Sequence, residues 1–95
     1  MDADGYPTDE ELAIIKGWDA IKDPHGLAEY IEAMWRYADY CVWDATTGVL
    51  KLDTAGWSGN ENIIGALQSN LMFWGLYWQR SERGGHYWFT IWEVP

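Results

Sequence analysis

The stretch Cys41-Val42-Trp43-Asp44-Ala45-Thr46-Thr47-Gly48-Val49-Leu50-Lys51-Leu52-Asp53-Thr54 decides the fold. Before it, apolar residues recur every three or four positions, the period of a helix. Within it they alternate, the period of a strand. Cys41–Asp44 reads as a short strand, Thr46-Thr47-Gly48 as a turn and Val49–Thr54 as a second strand. In that second strand Leu50 and Leu52 face one way, Lys51 and Asp53 the other.

Upstream, Thr8 reads as an N-cap with Glu11 as its capping-box partner, and Asp9 and Glu10 complement the dipole of the first turn. Ile14, Trp18 and Ile21 follow at helical spacing. Asp23-Pro24 ends this helix and caps the next, with Pro24 at the first helical position. Leu27, Ile31, Met34, Ala38 and Cys41 then make one apolar stripe, while Glu29, Glu32, Arg36 and Asp39 lie toward the other side. The stripe reads as core, and its length also suits a helix–helix homodimer.

Downstream, Ser58 and Glu61 form a second capping-box pattern, which launches a helix through Asn70 with Ile63, Ile64, Leu67 and Leu71 on its buried face. Met72–Ser81 and His86–Val94 read as two strands around Glu82-Arg83-Gly84-Gly85, whose glycines accept positive φ. With Arg80 opposite Tyr87, both faces of this hairpin are aromatic. Either helices cover both faces, or one awaits a partner. The expected fold is α+β: two N-terminal helices, a β-hairpin, a helix and a C-terminal β-hairpin, giving a four-stranded antiparallel sheet packed by helices. Residues 1–7 are expected to fray, and residues 8–95 to form a single domain.

Eight of the 95 residues are tryptophan. Small domains bury little apolar surface, but each large ring can bury roughly 150–250 Å², so this chain has more ring surface than one small core requires. The apolar runs are too short to span a membrane, and the acidic N-terminus lacks signal-peptide character. One cysteine, Cys41, allows no internal disulfide, which favours a cytoplasmic setting. His25, His86 and Cys41 lack metal-ligand spacing, so no metal site and no cofactor is expected.

The net charge of −9 is unevenly spread. Residues 1–44 carry eleven acids against Lys16, Lys22 and Arg36, a net of −8; the remainder carries four acids against Lys51, Arg80 and Arg83, a net of −1. Direct nucleic-acid binding is disfavoured without a basic patch to displace phosphate counterions. An acidic half suits a basic protein surface.

Three segments, Thr54-Ala55-Gly56-Trp57-Ser58-Gly59-Asn60-Glu61, Phe73-Trp74 and Ser81-Glu82-Arg83-Gly84-Gly85-His86-Tyr87, carry a family likeness. Together they resemble a group of small phage and prophage proteins of unknown function, over residues 40–92. The resemblance implies an accessory protein acting in a bacterial host cell. It brings no catalytic residues.

Two sets of candidate site residues follow. Trp57, Ser58, Gly59, Asn60 and Asn62 stand at a helix N-terminus, a natural seat for an anion. Arg83, Gly84 and His86 on the other loop would add a guanidinium fork and an imidazole, making a site for a small anionic or nucleotide-like ligand. The second set is a docking surface for a basic host protein: Asp9, Glu10, Glu11, Asp19, Asp23, Glu29, Glu32 and Asp39 supply charge, and Trp88 and Trp92 supply anchors. A catalytic His86 would need Ser58 or Ser81 with Glu61 or Glu82, but no nucleophile elbow is present. The expectation is a non-enzymatic interaction or inhibitor module. Ligand binding is the alternative, and a homo-oligomeric structural role the third reading.

Overall fold

The computed structural model describes residues 1–92. The elements run α1 (Asp9–Gly17), α2 (Pro24–Met34), a 3-10 turn (Ala38–Tyr40), β1 (Cys41–Asp44), β2 (Val49–Asp53), α3 (Ser58–Ser69), α4 (Leu71–Tyr77), β3 (Trp78–Glu82) and β4 (His86–Thr90). The strands form one antiparallel sheet in the order β1-β2-β4-β3. This is the α+β architecture that the sequence pattern implies, with one added helix.

The N-caps of α1 and α2 form as their sequences dictate, but α1 ends at Gly17, short of the expected stop at Asp23-Pro24. Thr8 accepts from the Glu11 N–H at 3.2 Å while the Glu11 carboxylate accepts from the Thr8 N–H at 2.9 Å. Asp23 accepts from the Gly26 N–H at 2.9 Å, and Pro24 opens α2. The long stripe does not stay helical, however. The helix stops at Met34, and Tyr37 takes a left-handed conformation (φ 66°) that turns the chain into the 3-10 turn and β1. Leu27, Ile31, Met34 and Cys41 are all buried in the core, so they offer no helix–helix dimer face; Ala38 is exposed.

The N-terminal segment, expected to fray, is instead tied down. Asp2 accepts from the Asp4 and Tyr6 N–H groups, the Arg36 guanidinium donates to the Asp4 carbonyl, and Tyr6 reaches Ser58.

Where a strand was expected from Met72, the chain forms α4. Asn70 is the hinge: its backbone N–H closes α3 onto Ala66 and Leu67, and its side chain accepts from the Phe73 N–H at 3.1 Å to open α4. Phe73 and Tyr77, four apart, then share one buried side. An apolar run with aromatics at both parities reads as a two-faced strand, yet it fits one helical face as well. The C-terminal hairpin is correspondingly shorter. Its turn is Arg83-Gly84-Gly85, and Arg80 pairs with Trp88 rather than Tyr87. A bulge at Gln79 restores the alternative register at Trp78↔Phe89. The expected second strand runs only to Thr90, and its end at Glu93 and Val94 lies outside the described residues.

The helices cover one face of the sheet. Leu50, Leu52 and Phe89 from the sheet meet Ile15, Leu27, Ile31, Ile63, Leu67, Phe73 and Tyr77 from the helices, all essentially without solvent contact. The other face is open. Val42, Lys51, Trp88 and Arg80 form one cross-strand row on it, and Asp53, His86 and Glu82 the next. The aromatic double face is therefore absent: the sheet is apolar inside and mixed outside, as an antiparallel sheet with one wet face should be.

Two glycines separate backbone need from accident. Gly48 (φ 75°) donates to the Asp44 carbonyl and accepts from the Ile91 N–H, and a Cβ there would lie 2.2 Å from the Ile91 carbonyl oxygen. Gly65 sits inside α3 with open space where a Cβ would be. Gly65→Ala should therefore stabilise by about 0.5–1 kcal/mol, while Gly48→Ala should cost more than about 1 kcal/mol. Thermal melts should move in opposite directions, by roughly 4–8 °C per kcal/mol. Equal and same-signed shifts would contradict this geometry.

Candidate functional site

The two motif loops do meet at one end of the sheet. Thr54, closing β2, donates its N–H to the Gly85 carbonyl at 3.0 Å, and its hydroxyl lies 2.1 Å from where a Gly85 Cβ would be. Gly85 (φ 81°) is thus required both by conformation and by the Thr54 side chain. Thr54 also accepts from the Trp57 N–H at 2.9 Å.

The expected Ser58–Glu61 capping box does not form. Ala55 (φ 54°) and Gly56 (φ 71°) are both left-handed, which turns the chain so that Trp57 takes the cap position, with no side-chain cap bond. Ser58 becomes the first helical residue, its hydroxyl 3.0 Å from the Tyr6 hydroxyl; Glu61 is exposed.

The Trp57 indole folds back over the helix start. Its Nε1 would lie 2.5 Å from a Cβ at Gly59, so the space above Gly59 that a ligand would enter is filled by the chain itself. Tyr6 packs on the indole at 4.4 Å between ring centroids, and the Arg36 guanidinium lies 4.2 Å from its ring. A cation over a Trp face is attracted by the ring quadrupole. The helix N-terminus is therefore roofed by Trp57, Tyr6 and Arg36.

Asn60 has a different task from the one its loop position suggests. It is 1% exposed. Its Oδ1 accepts from the Arg36 N–H at 3.1 Å; its Nδ2 donates to the Arg36 carbonyl at 3.1 Å and to the Thr54 carbonyl at 3.4 Å. One carboxamide thus joins the exit of α2, the end of β2 and the start of α3. Asn62 and Arg83 are exposed, as is Gly84 (φ 93°). His86 is held by Asp53 through Nδ1, rather than by Glu61 or Glu82, and Ser81 accepts from the Trp78 indole N–H at 2.8 Å. Ser58, Ser81, Glu82 and His86, considered for a catalytic triad, thus each contact a residue outside that set, and Glu61 is exposed. Two hollows of about 340 Å³ lie at the opposite end of β2, sharing His25 and Trp92.

Burial pushes the Cys41 thiol up to about 12, with the Glu32 charge adding to the effect. It therefore stays protonated at neutral pH and is a poor nucleophile.

The acidic set divides in two. Glu11 serves the capping box and pairs with the Met1 ammonium at 2.6 Å. That ammonium, with the Thr8 N–H, holds the Glu11 carboxyl below the usual carboxylate range. Asp19 accepts from the Ile21 and Lys22 N–H groups, and Asp23 caps α2. These three fix local backbone. Asp9, Glu10, Glu29, Glu32 and Asp39 are exposed and make no ion pair among the described residues.

Of the two expected anchors, Trp88 is half-buried on the open sheet face, with the Arg80 guanidinium 4.0 Å and the Lys51 ammonium 5.3 Å from its ring. Trp92 is 44% exposed, edge-on to Tyr77, and donates to the Leu76 carbonyl at 3.3 Å. Two exposed features carry no sequence signal that the strand reading could detect. Tyr37 and Tyr40 stand edge-to-face at 6.2 Å beside Asp39. Leu71, Met72 and Trp78 project from α4 and the start of β3; helical spacing over Leu71–Tyr77 is the clue that would have found them.

Removing the Asn60 amide leaves the Arg36 N–H and C=O unsatisfied, at about 1–3 kcal/mol for each such group. Asn60→Ala should lower unfolding free energy by about 2–4 kcal/mol in urea titrations, whereas Ser58→Ala should cost under about 1 kcal/mol. A neutral Asn60→Ala would refute the clamp. No family model, no curated protein and no solved structure matches the chain.

Proposed function

We propose that this chain is a non-enzymatic, phage-type accessory protein of the bacterial host cytoplasm. In this reading its acidic helical side docks on a basic, nucleic-acid-binding host protein and blocks it. The observation that carries the reading is the state of the charges. Glu29, Glu32 and Asp39 on α2 and the turn after it, and Asp9 and Glu10 on α1, point outward without a counter-ion among the described residues. Arg36 lies over the ring of Trp57, while Lys51 and Arg80 lie at the ring of Trp88 and pair with Asp53 and Glu82 on the open sheet face rather than with these acids. Unpaired surface carboxylates of one sign raise the encounter rate with a basic partner and set its orientation.

Tyr37 and Tyr40, exposed beside Asp39, are the ring type that anchors protein interfaces. The likeness of the Trp57 and Gly84 loops to small phage proteins supports the phage-type assignment. Ligand capture between those loops draws less support, because Trp57 covers Gly59 and Asn60 is engaged with backbone.

Immobilised protein should retain a basic host protein from bacterial lysate at about 50 mM salt and release it as the Debye length falls below about 8 Å. Reversing Glu29 and Glu32 to Lys should weaken that retention about tenfold or more, equivalent to about 1.4 kcal/mol. Capture that is indifferent to both salt and charge reversal would defeat the proposal.

A further inference from the structure

β3 is an edge strand, and all five of its residues, Trp78–Glu82, are exposed. Such an edge offers unpaired N–H and C=O groups to another strand. Arg80 and Glu82 lie on the same outer face, paired in register with Trp88 and His86. We infer that β3 is the seam of a homodimer in which two copies pair antiparallel about Ser81.

Charge pattern selects this occupant. An antiparallel pair centred on Ser81 sets Arg80 of each copy opposite Glu82 of the other, twice over, and opposite charges directly across a ladder are favourable. Within one chain the same two side chains form an exposed pair at 3.8 Å, with Arg80 also over Trp88, and the seam exchanges that solvent-exposed pair for two pairs between copies. The other edge, β1, lacks this complementarity. Its sequence Cys41-Val42-Trp43-Asp44 carries an acid and no base.

The bulge at Gln79 and the turn at Arg83 limit the shared ladder to Arg80–Glu82. A ladder that short buries little, whereas stable interfaces bury about 1,200–2,000 Å². The apolar surface beside it supplies the rest: α4 runs directly into β3, with Leu71 78%, Met72 49% and Trp78 41% exposed.

The test uses the full chain. Sedimentation equilibrium over about 1–200 μM should show mass rising from the 11.0 kDa monomer toward twice that value, as expected for a small, reversible interface. Arg80→Glu alone and Glu82→Arg alone should each return a monomer. An equal mixture of the two variants should dimerise again, as should the double swap within one chain.

An independent readout covers the case in which a single variant fails to fold. Directly opposed residues of an antiparallel pair have Cα atoms about 4.5–5.5 Å apart, within reach of a disulfide. Ser81→Cys should therefore give a covalent dimer with dissolved oxygen as oxidant. Gln79→Cys should not, because its two copies would lie about 14 Å apart along the seam. A wild-type monomer at 200 μM overturns the inference. So does a dimer that survives both single charge reversals, or one that cross-links through position 79 and not 81.

Discussion

The Asn60 carboxamide holds three parts of the chain that nothing local would bring together. It bonds the backbone of Arg36 in both directions and the carbonyl of Thr54, inside the core. Because the amide is out of solvent, each bond it makes removes a group that would otherwise be buried unsatisfied. Arg36 is thereby fixed where α2 leaves the core, and its guanidinium is placed over Trp57. The same bonds fix Thr54, which seats Gly85 and hence the turn between β3 and β4. At the far end of α3, Asn70 repeats the arrangement, its amide donating to the Ile15 and Trp18 carbonyls at 2.9 and 3.0 Å. α3 is thus pinned at both ends by a buried amide.

The parts of the fold that sequence reading recovers are those set by neighbours a few residues apart. The Thr8 box, the Asp23-Pro24 cap and the β1–β2 hairpin fall in this class. The parts it misses are set by distant contacts. Leu71–Tyr77 fits either period, and the pairing of Asn70 with α1 decides for a helix. Ser58 matches the capping pattern, but the left-handed pair Ala55-Gly56 brings Trp57 to the cap instead. The two loops proposed for an anion meet through Thr54 and Gly85, a juxtaposition that their sequence spacing does not reveal. Two of their polar side chains are already engaged, Asn60 with backbone and His86 with Asp53, while Ser58, Asn62 and Arg83 remain exposed. Burial of an amide leaves no mark in a single sequence.

The tryptophans show how the excess of rings is used. Trp35 alone among the eight is buried, and its indole donates to the Asp53 carbonyl at 3.0 Å. Most of the others are half-covered, several by a charged or aromatic neighbour: Trp57 by Arg36 and Tyr6, Trp88 by Arg80 and Lys51, Trp43 by His25. Long basic side chains lay their stems along apolar surface while the charge remains hydrated. Half of the six Lys and Arg residues are placed this way. The charge imbalance itself is set by composition, fifteen acids against six Lys and Arg residues, and Lys51 and Arg80 also pair with Asp53 and Glu82.

Strand order has a consequence for valency. α2, with its outward acids, packs on β1 at one margin of the sheet, and α4 leads into β3 at the other. Three strand spacings, about 14 Å, separate those margins. An occupant at one margin leaves the opposite one accessible, so the molecule can serve as a bridge with two chemically distinct ends rather than as a plug with one.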